Sequence, residues 1–401
     1  MPQRRVAFRG SGCMHGCRIL VWTPGLNGAD GISSVARQAV RALTARGKER
    51  PWGTEVWSLT DGPLGALGET GSVLCRCASG SKVRFVRWAL QATARSGRDT
   101  LVVALHIHLA PVALPLMARG ARLALYLHGI EAWRRPSLLE RAALRRAWVL
   151  MANSHHTAAR FMAANPGHES RRVRICHPTV PVESTSRTSR GPAGAPFALI
   201  VGRMAAEERY KGHDLLLELW PTVVAEFPEA RLLVVGDGDD RARLESKAAA
   251  LGMRESVPFL GRMSDEALAD LYHACSFFVM PSTGEGFGLV FLEAMRAGKA
   301  CIGGVGAAEE IIEDGVTGLV VDPDRADHVL GAVLRLFREP ETRAGMGRAG
   351  AARIAREFTE ARFRRSIRMA LGLEGGPGSS SVERPTPSAD ATSGAPGHRS
   401  G

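Results

Sequence analysis

Short apolar runs alternate with helical stretches along most of the chain, and this alternation limits the fold more than any other feature. In the first half the runs are RILVWT (residues 18–23), TLVVALHIH (100–108), RLALYLH (122–128), WVLMAN (148–153) and VRIC (173–176). In the second half they are FALIVG (197–202), ARLLVVG (230–236), SVPFLG (256–261), CSFFVMP (275–281), ACIGG (300–304) and GLVV (318–321). Strands that alternate with helices form parallel sheets, so the sequence predicts an α/β fold.

A Ser-, Gly- and Pro-rich segment at residues 182–196 separates the two sets of runs. It has no hydrophobic periodicity, which predicts a linker. We therefore expect an N-terminal α/β domain over residues 1–181 and a C-terminal α/β domain over 197–374, whose last helix could pack on the first domain. Residues 375–401 have too little apolar content to fold and predict a disordered tail. In such sheets ligands bind at the carboxyl ends of the strands, here the two facing edges of a cleft.

The net charge of +12 is unevenly distributed. Residues 1–190 contain 28 Lys and Arg against 10 Asp and Glu, a balance of +18, which leaves 24 against 30, or −6, for the rest. Only five of the 52 basic residues are lysines, so a general arginine bias explains part of the excess. Because no zinc-finger spacing or RNA-binding aromatic motif accompanies the basic half, we expect no nucleic-acid partner and favour a polyanionic or membrane surface.

Residues 81–95, SKVRFVRWALQATAR, are the candidate for peripheral contact with a membrane. At 100° per residue Arg84, Arg87 and Arg95 share one face of a helix, and Trp88 lies at the border of that face. The alternative is a solvated helix that packs on its own domain.

Cysteine usage and hydropathy predict a cytoplasmic protein. The seven cysteines are scattered, which favours reduced thiols, and the chain contains neither an 18-residue apolar run nor the apolar core of a signal peptide. Cys13, His15 and Cys17 could offer metal ligands, but no second pair follows at a zinc-site spacing, so we expect no metal there. Met14 is a second possible start, since the first strand begins only four residues later.

The stretch MPSTGEGFGLVFLEAMRAGKA, residues 280–300, contains two candidate carboxylates. Glu293 lies in an apolar run, where a carboxylate is costly to bury unless something hydrogen-bonds to it. Glu285 precedes it by eight residues and is followed by Gly286-Phe287-Gly288. This order predicts a strand, a glycine turn and the N-terminus of a helix, which is a site that binds anions.

Arg203 and Lys211 follow the predicted strand at residues 197–202. Two such cations are often surface charges. Combined with a helix N-terminus that carries Glu285 and Glu293, they predict a site for a diphosphate, since cations and helix N-termini both stabilise phosphate oxygens.

The combination of GR…YKGHD, GEGFGLVFLEAM and EEIIEDGVTGLVVDP resembles the C-terminal half of the family-4 retaining glycosyltransferases of the GT-B fold. The resemblance implies two Rossmann-like α/β domains and transfer of a hexosyl unit from a nucleotide-diphosphate sugar to a hydroxyl. The acceptor would be a saccharide, a lipid-linked molecule or a small molecule, in the synthesis of bacterial cell-surface polysaccharide, glycolipid or a related glycoconjugate. No cofactor or metal is expected, because Arg203, Lys211 and the helix dipole would supply the positive charge.

The same resemblance implies roles for individual residues. Glu285 would hold sugar hydroxyls and Glu293 the ribose hydroxyls, while Arg203 and Lys211 would neutralise the departing diphosphate. His128, in YLHGIEAW, would lie beside the reacting sugar. Further donor contacts would come from the glycine loop at Gly31, from the backbone of Phe287, Gly288 and Leu289, and from Glu310. Retention of configuration, through attack on the front face, is likewise implied by the resemblance alone.

Two stretches depart from the family's pattern or imitate another one. Gly306-Ala307 stands where many members have Gly-Gly. Asp237-Gly238-Asp239 is similar to a metal-binding D-x-D motif, but it follows a strand of the second domain and we do not expect it to bind a metal.

Three other functions are compatible with parts of the sequence. A nucleotide-sugar epimerase of the GT-B fold would use the same donor without an acceptor, and a basic surface-binding protein would have no activity. A nicotinamide-dependent oxidoreductase is disfavoured, because VGDGDDR has Arg241 in place of the third glycine of G-x-G-x-x-G.

Overall fold

The computed structural model describes residues 17–28, 30–44, 52–63, 73–167, 173–180 and 195–374. Several predictions fall outside these ranges: nearly all of the linker at 182–196, the tail at 375–401, the possible metal ligands Cys13 and His15, and the alternative start at Met14.

The described strands of the N-terminal sheet are parallel. They are β1 (Arg18–Thr23), β2 (Gly53–Ser58), β3 (Leu74–Cys77), β4 (Thr100–Ala104), β5 (Arg122–Leu127), β6 (Val149–Ala152) and β7 (Val173–Ile175). Their spatial order is β3-β2-β1-β4-β5-β6-β7. The order changes direction between β1 and β4, and parallel sheets bind ligands beyond the carboxyl ends of the strands at such a switch point.

The C-terminal sheet repeats this arrangement. Its described strands are β8 (Phe197–Val201), β9 (Arg231–Val235), β10 (Phe259–Gly261), β11 (Phe277–Met280), β12 (Cys301–Gly304) and β13 (Gly318–Val321). The order β10-β9-β8-β11-β12-β13 changes direction between β8 and β11. Arg203 and Lys211 follow β8 and Glu285 follows β11, so the topology brings these residues to one switch point.

Helices cover the sheets. Those that follow strands of the first sheet are α1 (Gly31–Thr44), α2 (Lys82–Thr93), α3 (Leu114–Ala118), α4 (Leu138–Arg146) and α5 (His155–Ala164). Those of the second half are α6 (His213–Glu226), α7 (Arg241–Ala250), α8 (Asp265–Ala274), α9 (Leu289–Arg296), α10 (Ala326–Arg338), α11 (Pro340–Glu357) and α12 (Glu360–Ala370). No helix within the described ranges is both long enough and apolar enough to cross a membrane.

Every predicted strand is present, but the prediction missed β2 and β3 and misplaced some ends. The sequences GTEVWS and LCRC are too short and too polar to form apolar runs, and residues of β3 are half-buried or exposed. The strand predicted at 100–108 is wrong for its last four residues. There the chain leaves the sheet and forms a 3₁₀ turn over Ile107–Ala113, in which the side chain of His106 accepts the amide of His108.

The last helix crosses to the first domain. Phe363, Ile367 and Leu371 are buried in the core that α1 forms against the N-terminal sheet. Nε of Arg368 also donates to the carbonyl of Ala42, at 2.9 Å. The N-terminal domain therefore completes one face of its core with α12.

Candidate active site

The loop between β11 and α9 brings the glycine turn of residues 284–288 to the cleft. Gly288 has a φ of +93°, and a Cβ at this position would lie 2.6 Å from Cδ2 of Phe291, so the turn requires glycine. Phe287 is 3% exposed and anchors the loop in the C-terminal core. Leu289 begins α9, whose first amides would stabilise an anion.

Lys211 and Glu285 form an ion pair at this loop. Nζ of Lys211 lies 2.8 Å from Oε1 of Glu285 and 3.7 Å from Oε2 of Glu208. Both members of the pair are largely buried, with 14% and 18% of their side chains exposed. Arg203 forms a hydrogen-bonded ion pair with Glu208, while 69% of its side chain remains exposed. The structure thus brings Arg203, Lys211 and Glu285 together, with Glu208 as the shared partner that the sequence analysis missed.

Glu293 has the hydrogen-bond partner that its apolar surroundings require. The hydroxyl of Tyr272, on α8, donates to Oε2 of Glu293 at 2.8 Å. Burial and the neighbouring Glu293 raise the pKa of Tyr272 well above its usual value, so this hydroxyl keeps its proton. Glu293 is itself half-buried. The sequence predicted that a partner exists but gave no signal for Tyr272, which lies 21 residues earlier on another helix.

Gly31 lies opposite this loop at the start of α1. A Cβ on Gly31 would lie 3.5 Å from Cδ1 of Leu289, so the N-termini of α1 and α9 approach each other across the cleft. Two helix N-termini that face one cleft stabilise negative charge between them. The preceding glycine loop is held by Arg37, which donates to the carbonyl of Gly28 at 2.8 Å.

His128 follows β5 and is 8% exposed. Its Nε2 lies 2.7 Å from the carbonyl oxygen of Leu105, which can only accept, so Nε2 carries the proton and Nδ1 is the acceptor nitrogen. Burial lowers the pKa of His128, and the ring is neutral at neutral pH. A neutral histidine of this tautomer can accept a hydrogen bond from a sugar hydroxyl but adds no charge.

Two further residues, Glu131 and His106, contact His128. Oε1 of Glu131 accepts the amides of His128 and Gly129 at 2.7 and 3.2 Å and fixes the turn after β5. The ring of His106 stacks 6.2 Å from that of His128, and burial lowers the pKa of His106 to about 4. His106 was not predicted as a site residue, because the predicted strand ran to residue 108 and placed this histidine inside the sheet. In the structure the strand ends at Ala104, and His106 lies at the edge of the sheet.

The two domains are in contact where the turn after β5 meets the glycine turn of residues 284–288. A Cβ on Gly129 would lie 2.9 Å from Cα of Gly286, and a Cβ on Gly286 would lie 2.0 Å from the carbonyl oxygen of His128. Only glycine allows this approach. The loop that bears Glu285 therefore lies directly against the turn that bears His128.

Glu310 contacts the opposite domain. Its carboxylate accepts the amides of His155 and His156, at 2.9 and 2.7 Å, at the N-terminus of α5. Nε2 of His177 lies 2.9 Å from the same carboxylate. Burial alone would raise the pKa of Glu310, but these hydrogen bonds lower it below its usual value. Contact with the donor was expected of Glu310 and remains a prediction.

His155, His177 and Glu310 are the group of potential metal ligands found among the described residues, with their ligand atoms within 4.8 Å of one another. A carboxylate that caps the positive end of a helix is better suited to that contact than to a cation. In the predicted D-x-D stretch, Asp237 and Asp239 accept the backbone amides of Gly238 and Ala206.

Comparison with known proteins identifies relatives of both halves. Residues 183–353 match the family described as "Glycosyl transferases group 1". The chain is 33% identical to the alpha-D-kanosaminyltransferase of Streptomyces kanamyceticus over 41% of this chain and 42% of that protein, so this match spans about two fifths of the relative. It is 31% identical to the GDP-mannose-dependent alpha-(1-6)-phosphatidylinositol monomannoside mannosyltransferase of Mycolicibacterium smegmatis, over 60% of this chain and 68% of that protein.

Solved structures resemble the whole described fold. Anabaena HepE in complex with UDP and glucose is 20% identical, with a TM-score of 0.72 over 88% of this chain and 99% of that one. Sucrose-phosphate synthase from Thermosynechococcus elongatus is 21% identical, with a TM-score of 0.74 over 88% and 98%. At these identities the likeness concerns the fold. The motif residues, the curated relatives and the fold agree, and the chain belongs to the group 1 glycosyltransferases, family 4, of the GT-B fold.

Proposed function

We propose that this enzyme transfers a hexosyl unit from a nucleotide-diphosphate sugar to a hydroxyl acceptor with retention of configuration. The observation that carries the proposal is the Lys211–Glu285 pair beside the N-terminus of α9. A cation and helix amides at one point suit the diphosphate, and a carboxylate beside them suits sugar hydroxyls. Relatives named for kanosaminyl and mannosyl transfer, and a structural neighbour solved with UDP and glucose, support the donor class.

The chemistry follows from where charge develops. Breaking the bond between the anomeric carbon and the diphosphate leaves an oxocarbenium-like sugar and a growing phosphate anion. Lys211, Arg203 and the amides of α9 are fixed before the reaction and so stabilise that anion without reorganisation. The acceptor's proton would pass to the departing phosphate oxygen, and neutral His128 would orient the sugar. Glu293 would hold the ribose hydroxyls.

The donor can be identified by thermal shift with a panel of UDP-, GDP- and ADP-sugars. A donor at 100 times its dissociation constant should stabilise the protein by about 2.7 kcal/mol. NAD serves as the negative control. If no nucleotide sugar raises the melting temperature, the proposed donor class is wrong.

An epimerase is distinguished by incubation with the donor alone. Recovery of a nucleotide sugar with an inverted centre would establish epimerisation. We expect instead an unchanged donor with slow release of free sugar, which transfer enzymes give when water replaces the acceptor.

We also propose a lipid-linked acceptor, reached from the inner face of the cytoplasmic membrane through α2. Arg84 and Arg87 are exposed on this helix, while Phe85 faces the core. The predicted helical position of Arg95 is wrong, because α2 ends at Thr93 and Arg95 is exposed in the turn that follows. Val83 and Leu90 of the same helix are 80% and 55% exposed, beside Arg84 and Arg87. Apolar and basic side chains on one exposed face suit an anionic bilayer.

The surface beside α2 and the names of relatives support this acceptor. Leu138 and Leu139 of α4 are 79% and 62% exposed on the same side of the sheet. Trp88 is half-buried against Trp57 and contributes less to such a surface than the sequence suggested. The mannosyltransferase of M. smegmatis is named for a phosphatidylinositol monomannoside.

A further inference from the structure

The glycine turn of residues 284–288, called the donor loop below, contains a carbonyl that binds to the opposite domain. This carbonyl, of Gly286, accepts hydrogen bonds from two hydroxyls of that domain. Oγ of Ser154 donates to it at 2.6 Å and Oγ1 of Thr157 at 3.0 Å. Ser154 and Thr157 are fully buried. This carbonyl belongs to the peptide between Gly286 and Phe287, so its hydrogen bonds fix the loop one residue after the candidate glutamate, Glu285. We name these two hydrogen bonds the α5 contact.

Ser154 has a second bond that locks it in place. Its Oγ also accepts the amide of Thr157 at 2.9 Å and thereby caps α5. The single hydroxyl proton of Ser154 goes to the closer acceptor, the Gly286 carbonyl at 2.6 Å, and Oδ1 of Asn153 at 3.3 Å is the alternative acceptor. The amide group of Asn153 donates to the carbonyl of His128.

The other side of the α5 N-terminus is held by the C-terminal domain as well. Glu310 binds the amides of His155 and His156, one residue beyond Ser154. At the N-terminus of α5, two side-chain hydroxyls thus donate to the Gly286 carbonyl, and two backbone amides donate to the carboxylate of Glu310. Rotation of the two domains away from each other would break both sets of bonds together.

We propose that Ser154 and Thr157 are positioning residues, which set the geometry of the donor loop only when the domains are closed. They touch no reacting atom. Their effect would be exerted through Gly286, which orients Glu285 towards Lys211. The inference rests on the proposed function for its kinetic part but not for its conformational part.

Thr157→Val tests the proposal, because valine keeps the shape of threonine and leaves the Ser154 cap in place. We expect the melting temperature to stay near that of the parent and turnover of the donor to fall by about tenfold, the value of one lost hydrogen bond. The Michaelis constant of the donor should change less than turnover. Thr157→Ser, which restores a hydroxyl, should recover most of the activity.

Thr44→Val is the matched control, since Thr44 is likewise buried and its hydroxyl donates to a backbone carbonyl of the same domain, that of Val40, at 2.7 Å near the end of α1. Equal losses in both threonine-to-valine variants would overturn the proposal. Equal turnover by Thr157→Val and the parent would overturn it too.

Small-angle X-ray scattering of the ligand-free protein tests the conformational part of the proposal without any substrate. We expect a larger radius of gyration for Thr157→Val than for the parent or Thr44→Val, and equal radii would overturn the conformational part. If the parent neither binds nor turns over any nucleotide sugar, the proposed function fails, while the scattering comparison still decides whether the α5 contact holds the domains together.

Discussion

The two sides of the cleft handle charge in opposite ways. On the C-terminal side Lys211, Glu285 and Glu208 are charged and satisfy one another at short distances. On the N-terminal side the two cleft histidines are neutral, with His128 buried and His106 half-buried, while Arg84 and Arg87 are exposed on α2. The difference indicates a division of labour. Fixed charges stabilise an anion that grows during the reaction, whereas neutral polar groups orient a sugar without competing for that anion.

Replacing Lys211 by methionine gives the largest expected effect and tests the charged side directly. Turnover should fall by about 10²- to 10³-fold, as after loss of one preorganised electrostatic partner, and the donor's Michaelis constant should rise much less. Lys247→Met is the control, because Lys247 pairs with Asp214 and Glu218 away from the loop. A rise in Michaelis constant at unchanged turnover would mean that Lys211 only binds the donor.

Replacing Arg84, Arg87 and Arg95 by glutamine tests the outer surface of the N-terminal side. At about 1 kcal/mol for each arginine, binding to anionic vesicles should weaken by about 10²-fold, and the parent's binding should fall steeply with salt. Slow hydrolysis of the donor should stay unchanged, since Glu285, Glu293, Arg203 and Lys211 lie in the other domain.

The matched control is the triple glutamine variant of Arg325, Arg335 and Arg338, which are exposed on the C-terminal domain. Vesicle binding that is equal for the two triple variants would contradict a contact through α2. The basic balance of residues 1–190 would then be arginine bias on an enzyme with a soluble acceptor.

Glu293→Gln has a smaller expected effect and separates binding from architecture. If Glu293 binds ribose hydroxyls, the donor's dissociation constant should rise by about tenfold, while the melting temperature stays near the parent value. Tyr272→Phe removes the partner hydroxyl and should affect the donor less. Parallel losses of melting temperature in both variants would instead favour a purely structural carboxylate.

The acid limb of the stability curve tests the neutral side of the cleft. The pKa of His106 is about 4 in the folded protein and near 6.5 when unfolded, so between these values the unfolded chain binds more protons. The free energy of unfolding should therefore fall as pH drops from about 6.5 to about 4. His106→Asn should reduce that slope by up to about 1.4 kcal/mol per pH unit, measured by urea unfolding. An unchanged slope would refute the half-buried, neutral state of His106.

Most of the fold and the charged side of the site could be predicted from the sequence. Lys211 and Glu285 follow buried apolar strands, and parallel strands end at a common edge, so their meeting required only the order of elements. The apolar run around Glu293 likewise demanded a partner. These are local signals, which the chain carries within a few residues of each position.

The remaining contacts depend on how separate elements meet. Tyr272 reaches Glu293 from another helix, and Ser154 reaches Gly286 from another domain, at sequence separations that no periodicity encodes. β2 and β3 were missed because their sequences are short and partly polar. His106 was assigned to a strand because an apolar run cannot reveal the residue at which a chain leaves its sheet.

The crossing of α12 has a consequence for the order in which a newly made chain can fold. Residues 17–180 supply the N-terminal sheet, but Phe363, Ile367 and Leu371 fill its core only after the C-terminal domain has been synthesised. At 5–20 residues per second, roughly 10 to 40 s separate the two events on the ribosome. During that interval the apolar face of α1 lacks its cover, so the nascent N-terminal domain would be a substrate for chaperones, and a messenger truncated before residue 360 would yield an aggregating product.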